Sequence, residues 1–119
     1  MKEFLLLIRN EPDYWEIMTA EQQQTHMQNA TNYITKLANE GKIKDAQPLT
    51  MRGAMLECSE GGFKDGPFIE SKEVIGGYFH ILAHDLTEAI EIAKANPIFH
   101  AGSTARIEIR EIMKAEGIN

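Results

Sequence analysis

The chain has 119 residues, enough for one hydrophobic core and too few for two, so a single domain over 1–119 is expected. Hydrophobic residues at 43% and charged residues at 25% argue against disorder. A net charge of −6 with no basic run argues against nucleic acid and anionic membrane as partners.

The lone Cys58 permits neither an intramolecular disulfide nor a cysteine-based zinc site, which fits a reducing cytoplasm. The longest apolar run, 4–8, is far short of the roughly 20 residues of a membrane helix. It also lacks a signal-peptide cleavage region, so a cytoplasmic location is expected.

Residues 2–9 predict a strand apolar on both sides, with Phe4, Leu6 and Ile8 facing one way and Leu5, Leu7 and Arg9 the other. Helices of a chain this short cover one face, and a second subunit is the simplest cover for the other. Residues 10–18 are an irregular segment carrying Tyr14 and Trp15. Thr19 and Gln22 have capping-box spacing, which starts a helix that runs to about Glu40 and stops at Gly41. Its inward stripe is Met27, Ala30, Ile34, Leu37 and Ala38, with Tyr33 at the margin. The same face turns polar towards its start, at Gln23 and His26.

Residues 42–49 are extended. Residues 52–60 and 63–65 predict a hairpin turning on Gly61-Gly62. The punctuated stretch Asp65-Gly66-Pro67-Phe68 follows, and the pair Gly76-Gly77 then admits a bulge or a close backbone approach ahead of a strand over 78–83. A second capping box, Asp85 to Glu88, opens a helix with an inward stripe of Leu86, Ala89, Ile90 and Ala93, ended by Asn96-Pro97. After a loop over 98–103, residues 104–112 predict a strand with Ala105, Ile107 and Ile109 on one face and Arg106, Glu108 and Arg110 on the other. The result is an α+β chain in ferredoxin-like βαββαβ order with an inserted hairpin. Its apolar first and third strands are central and its charged last strand is at an edge.

Asp65-Gly66-Pro67-Phe68, Lys72-Glu73, Gly76-Gly77-Tyr78, the capped helix ending at Pro97, and Gly102 before Ile107-Glu108-Ile109-Arg110 together resemble the DGPF branch of the YCII-related family. The opening Leu5-Leu6-Leu7-Ile8-Arg9 fits as well. The resemblance implies a homodimeric α/β barrel in which two ferredoxin-like sheets meet by their open faces, and it implies no settled reaction. It places His26 at the family's helix-1 histidine. The carboxylate of an Asp-Pro step, proposed as that histidine's partner in the shorter branch, is replaced here by Asn96.

His26 is a candidate general base, because its unperturbed pKa lies near neutrality; the plainer reading is a hydrogen-bonded helix histidine. Asp65 is the candidate acidic partner among Asp65, Glu70, Lys72 and Glu73, against a reading in which Asp65 bonds its own turn and the signature is architectural. Arg9, Gln23, Tyr78, His80 and Arg110 are candidate ligand contacts, since arginine grips a carboxylate through two parallel bonds. The competing role for Arg106, Glu108 and Arg110 is cross-strand ion pairing. Tyr14 and Trp15 either close over a pocket or pack a loop. His80 and His84 share a face only on a helix, and in a strand they stand roughly 13 Å apart, so no metal site and no cofactor are expected. Two functions remain: binding of a small, anionic organic molecule in the barrel cavity, with cofactor-independent acid–base chemistry of lyase or isomerase type through His26, or a non-catalytic interaction or regulatory module.

Overall fold

The computed structural model describes residues 1–66, 73–101 and 104–114, the side chain of Asp65 excepted. Pro67, Phe68, Glu70, Lys72 and Gly102 of the signature lie outside the described residues. Strand β1 (Lys2–Asn10) alternates as its sequence dictates: Phe4, Leu6 and Ile8 are 0%, 0% and 4% exposed, while Leu5, Leu7 and Arg9 are half-buried on the opposite face. Helix α1 (Ala20–Asn39) begins at the predicted capping box. Thr19 Oγ1 accepts from Gln22 N at 3.1 Å, and Gln22 Oε1 accepts from Thr19 N at 2.9 Å. It ends in a Schellman closure, Lys42 N to Leu37 O at 2.8 Å and Gly41 N to Ala38 O at 3.1 Å, which the left-handed Gly41 (φ 69°) makes possible.

Strands β2 (Ile43–Pro48), β3 (Met55–Ser59), β4 (Gly62–Gly66) and β5 (Val74–Ala83) come next, followed by α2 (Leu86–Lys94), a 3-10 turn (Pro97–His100) and β6 (Arg106–Glu111). Four strands form an antiparallel sheet in the order β2–β5–β1–β6, with the first and third predicted strands central and the last at an edge. The sheet is open and does not close into a barrel. Both helices cover one face, where Phe4, Leu6, Tyr33, Leu37, Ile81, Ala83, Ala89, Ile92 and Ala93 make the core. Among the described residues no helix is long and apolar enough to cross a membrane.

Several expectations need correction. The buried stripe of α1 centres on Tyr33 and Leu37, whereas Met27 is 59% exposed and Ala38 is also exposed. Tyr33 is core because its hydroxyl donates to Ile92 O at 2.6 Å and its ring meets Phe79 edge-on at 5.5 Å. In α2 the inward residues are Ala89, Ile92 and Ala93, rotated from the predicted Leu86 and Ile90, which are exposed. Asp85 caps this helix, but Glu88 Oε1 accepts from His84 N and not from the cap's own amide. The loop predicted from residue 98 opens as a 3-10 turn capped by Asn96.

The β3–β4 hairpin turns on Glu60-Gly61, with Ser59 paired to Gly62, and it is Gly62 that takes a positive φ (104°). Gly66 does not: a Cβ there meets nothing within 4 Å, so an alanine is not strained. The hairpin is a two-stranded sheet that joins no strand of the main one. Strand β5 starts earlier than the sequence suggested, and both alternatives for the glycine pair occur. The β1–β5 register slips where Ile8 pairs Gly77 and Arg9 pairs Ile75, leaving Gly76 as the bulged residue. Gly77 lies against β2, where a Cβ would stand 3.1 Å from Gln47 O.

Candidate functional site

The sheet divides the candidate residues between its two faces. On the helix side, between α1, the turn segment before it and the adjoining ends of β2 and β5, lies a cavity of about 480 Å³. Its walls are mostly apolar, including Ile8, Trp15, Ile34, Leu49, Val74 and Phe79, and His26 stands among them. The segment before α1 forms this wall because it is wound into consecutive turns, with Tyr14 N donating to Glu11 O, Ile17 N to Asp13 O and Met18 N to Trp15 O. Gln23 fastens it: its Nε2 donates to Trp15 O at 2.8 Å. Gln23 is therefore a positioning residue that hangs the Trp15 wall on the first turns of α1. Leu49 is held across the cavity by its amide, which donates to Gly76 O at 2.9 Å.

His26 is half-buried, and its ring lies 6.5 Å from the Trp15 ring at a 60° tilt. Burial lowers its pKa from the ordinary histidine value, so the neutral imidazole predominates at neutral pH. Among the described residues the imidazole has no hydrogen-bond or ion-pair partner. Glu16 is the carboxylate of the described lining, and burial followed by the Glu16 charge raises the Tyr14 pKa. Asn96 also lines the cavity and is 2% exposed. Its Oδ1 accepts from Ile98 N at 3.0 Å, capping the 3-10 turn. Its Nδ2 meets no hydrogen-bond geometry, although the amide slightly opposes the burial that pushes Tyr33 up to about 12. Asp65, the expected partner of His26, has its backbone in β4 opposite Leu56, in the separate hairpin, and its side chain lies outside what is described.

The other face carries Arg9, Tyr78, His80 and Arg110. Arg9 Nε donates to Glu73 Oε1 at 2.9 Å and Arg9 Nη1 to Glu108 Oε1 at 3.3 Å; Arg110 Nη1 donates to Glu108 Oε2 at 3.3 Å. Arg106 makes two bonds to Glu73, and Arg106 and then Arg9 hold the Glu73 carboxyl down at about 2. Tyr78 donates to Asp45 Oδ2 at 2.7 Å, while the residue also borders the helix-side cavity. His80 Nε2 stands 2.7 Å from Glu3 Oε1, and Lys44 and Lys114 share that carboxylate. Lys114 and then Lys44 hold Glu3 at about 2. Glu3 is the residue that sequence reasoning passed over. The available signal was a single acid directly before the apolar run 4–8 of a central strand, on the same side as Leu5 and Leu7.

His26 thus lines the cavity, with Gln23 fastening its Trp15 wall and Tyr78 at its border, whereas on the other face Arg9 and Arg110 pair with Glu73 and Glu108 and His80 pairs with Glu3. The family model described as YCII-related domain matches residues 2–113, and the chain belongs to that family. No curated protein matches it.

Proposed function

We propose that this YCII-related protein is a cytoplasmic homodimer of ferredoxin-like subunits that binds a small organic molecule in the helix-side cavity, with His26 as the group available for acid–base chemistry. The observation that carries this reading is the unpartnered, neutral imidazole in the wall of a mostly apolar cavity of about 480 Å³, a volume within the roughly 300–1,000 Å³ of small-molecule sites. A neutral imidazole both accepts and donates a proton near neutral pH, as a general base requires. The arginines expected to hold an anion are engaged by Glu73 and Glu108 on the other face, so this reading does not require a charged ligand.

The dimer is supported by the uncovered sheet face, where Leu5 and Leu7 at the centre are ringed by the ion pairs of Arg9, Glu73, Glu108 and Glu3. An apolar centre within a polar rim is how protein interfaces are built, and two such faces meeting would form the dimeric α/β barrel. Light scattering after size exclusion tests it: a clean monomer near 13.4 kDa at micromolar concentration removes the dimer. NMR titration of His26 tests the site. A depressed pKa that moves when small molecules are added supports binding; a free-solution value that never moves removes it.

One observation favours the alternative, a non-catalytic interaction module. The β3–β4 ribbon exposes Leu56 and Phe63 at 62% and 76%, on the side where Cys58 pairs with Phe63. If His26 is inert while charged substitutions at Leu56 and Phe63 abolish association with a protein partner, the interaction reading replaces the ligand reading.

A further inference from the structure

We infer that the helix-side cavity selects a neutral molecule with a flat aromatic ring and an uncharged hydrogen-bonding group, and discriminates against the anion of the same shape. This deepens the ligand-binding reading above and rests on it.

Charge comes first. Among the described lining residues there is no lysine or arginine, and the one formal charge is the Glu16 carboxylate. An anion entering would surrender hydration without meeting a cation and would approach Glu16, which is costly in a mostly apolar enclosure. The single group able to become cationic, His26, is held in its neutral form by burial. The arginines that would serve an anion point from the opposite side of the sheet and are paired.

Shape comes next. Trp15 and His26 present two rings inclined at 60°, the arrangement that receives a third ring edge-on to one and offset on the other. Ile34, Leu49 and Phe79 supply apolar walls without a competing hydrogen bond. Apart from Glu16, the polar side chains of the described lining are uncharged: the His26 imidazole, donor at one nitrogen and acceptor at the other, with Tyr14, Gln47, Thr50, Tyr78 and Asn96. A carboxamide, ketone or phenol on an aromatic ring matches this inventory, whereas a carboxylate leaves a full charge unpaired.

Phenylacetamide and phenylacetate share a skeleton and differ in charge, and Trp15, the single tryptophan, reports occupancy of its own wall. Each is titrated into the wild-type protein at about pH 8, where the His26 ring is neutral, following Trp15 emission and the His26 ring resonances. Phenylacetamide should perturb both signals and bind at least ~10-fold more tightly than phenylacetate, the scale on which an unpaired charge is penalised. Ala30→Leu, which adds volume to a half-buried lining position, should abolish the response. Equal or tighter binding of phenylacetate overturns the neutral-ligand inference and leaves the cavity as a binding site. Unchanged binding to Ala30→Leu places the ligand elsewhere and overturns the inference as well. If neither compound moves Trp15 or His26 at ~10 mM, a concentration at which a fragment of this size registers, both the inference and the ligand-binding reading fall.

Discussion

Adjacent glycines in β5 should respond to alanine with opposite sign. At Gly77 the new Cβ would stand 3.1 Å from Gln47 O and 3.3 Å from Pro48 Cα, both backbone atoms of a hydrogen-bonded strand, so relief requires β2 to move. Overpacking of this kind costs about 1–3 kcal/mol, offset by about 0.4–1 kcal/mol from the reduced freedom of the unfolded chain. The net loss is therefore between about 0 and ~2.6 kcal/mol, centred on ~1.3 kcal/mol. At Gly76 the nearest atom is Tyr14 Cε1 at 3.4 Å, an ordinary contact with a side chain, and φ is not in the left-handed range. Only the unfolded-state term remains, and Gly76→Ala should gain about 0.4–1 kcal/mol. Urea unfolding followed by Trp15 emission at fixed protein concentration measures both. With a slope of about 2 kcal/mol/M, the Gly77→Ala midpoint falls by ~0.6 M, and by no more than ~1.3 M, while the Gly76→Ala midpoint rises by ~0.2–0.5 M. Equal losses at both sites would mean that the bulge itself demands glycine; a Gly77→Ala gain as large as that expected at Gly76 would mean that the close strand approach carries no steric cost.

Tyr33→Phe removes a buried hydroxyl that donates to Ile92 O, and should cost about 1 kcal/mol; a neutral change in urea midpoint would remove that bond from the account. Tyr33→Leu should cost about 0.5–1.5 kcal/mol more through the lost edge-on contact with Phe79, and the excess should vanish when Phe79 is already leucine. Because burial lowers the folded-state pKa of His26 below its unfolded value of 6.5, the unfolded chain binds the extra proton. Stability should therefore fall as pH drops from about 6.5 through the folded value, and His26→Gln should flatten that part of the pH profile. A second, lower window belongs to Glu3 and Glu73. Their folded pKa values of about 2 against 4.5 unfolded give stability that is present above 4.5 and lost towards 2, so Glu73→Gln should reduce the steepness of acid unfolding. An unchanged acid limb in that variant would show that its arginine pairs are worth nothing in solution.

The element order and the two faces of β1 were legible because a strand has a side-chain period of two, and one apolar residue in the run fixes the direction of all the others. That same alternation already set Ile8 and Arg9 on opposite sides of the sheet. What remained hidden was which side each helix would cover, since that depends on chain connection and not on local pattern. His26 and Arg110 therefore read as parts of one site until the topology separated them. Helix stripes were less legible: Leu86 and Ile92 in α2, or Met27 and Tyr33 in α1, are equally apolar candidates. The choice falls to whichever set meets the sheet, with a hydroxyl partner such as Ile92 O deciding for Tyr33. The Glu60-Gly61 turn was missed by one residue because three small or polar residues in succession admit more than one hairpin register. The role of Asn96 in the His26 wall was legible only in part. Asn96-Pro97 reads as the end of α2, whereas the capping of the 3-10 turn by Asn96 and its place in the cavity follow from packing.

The separateness of the β3–β4 ribbon means that the protein does not have one stability. A ribbon of two five-residue strands that, among the described residues, pairs with no other strand is marginal on its own. Its opening need not wait for the core, and its amides should exchange with solvent orders of magnitude sooner than those of β1 and β5. Trp15, anchored through Gln23 to α1, records the melting of the main sheet and is blind to the ribbon. A denaturation curve read from that tryptophan therefore assigns the whole chain a cooperativity that belongs to the main sheet and its helices. Proteolysis at the ribbon, before any change in emission, is how the difference would first become visible.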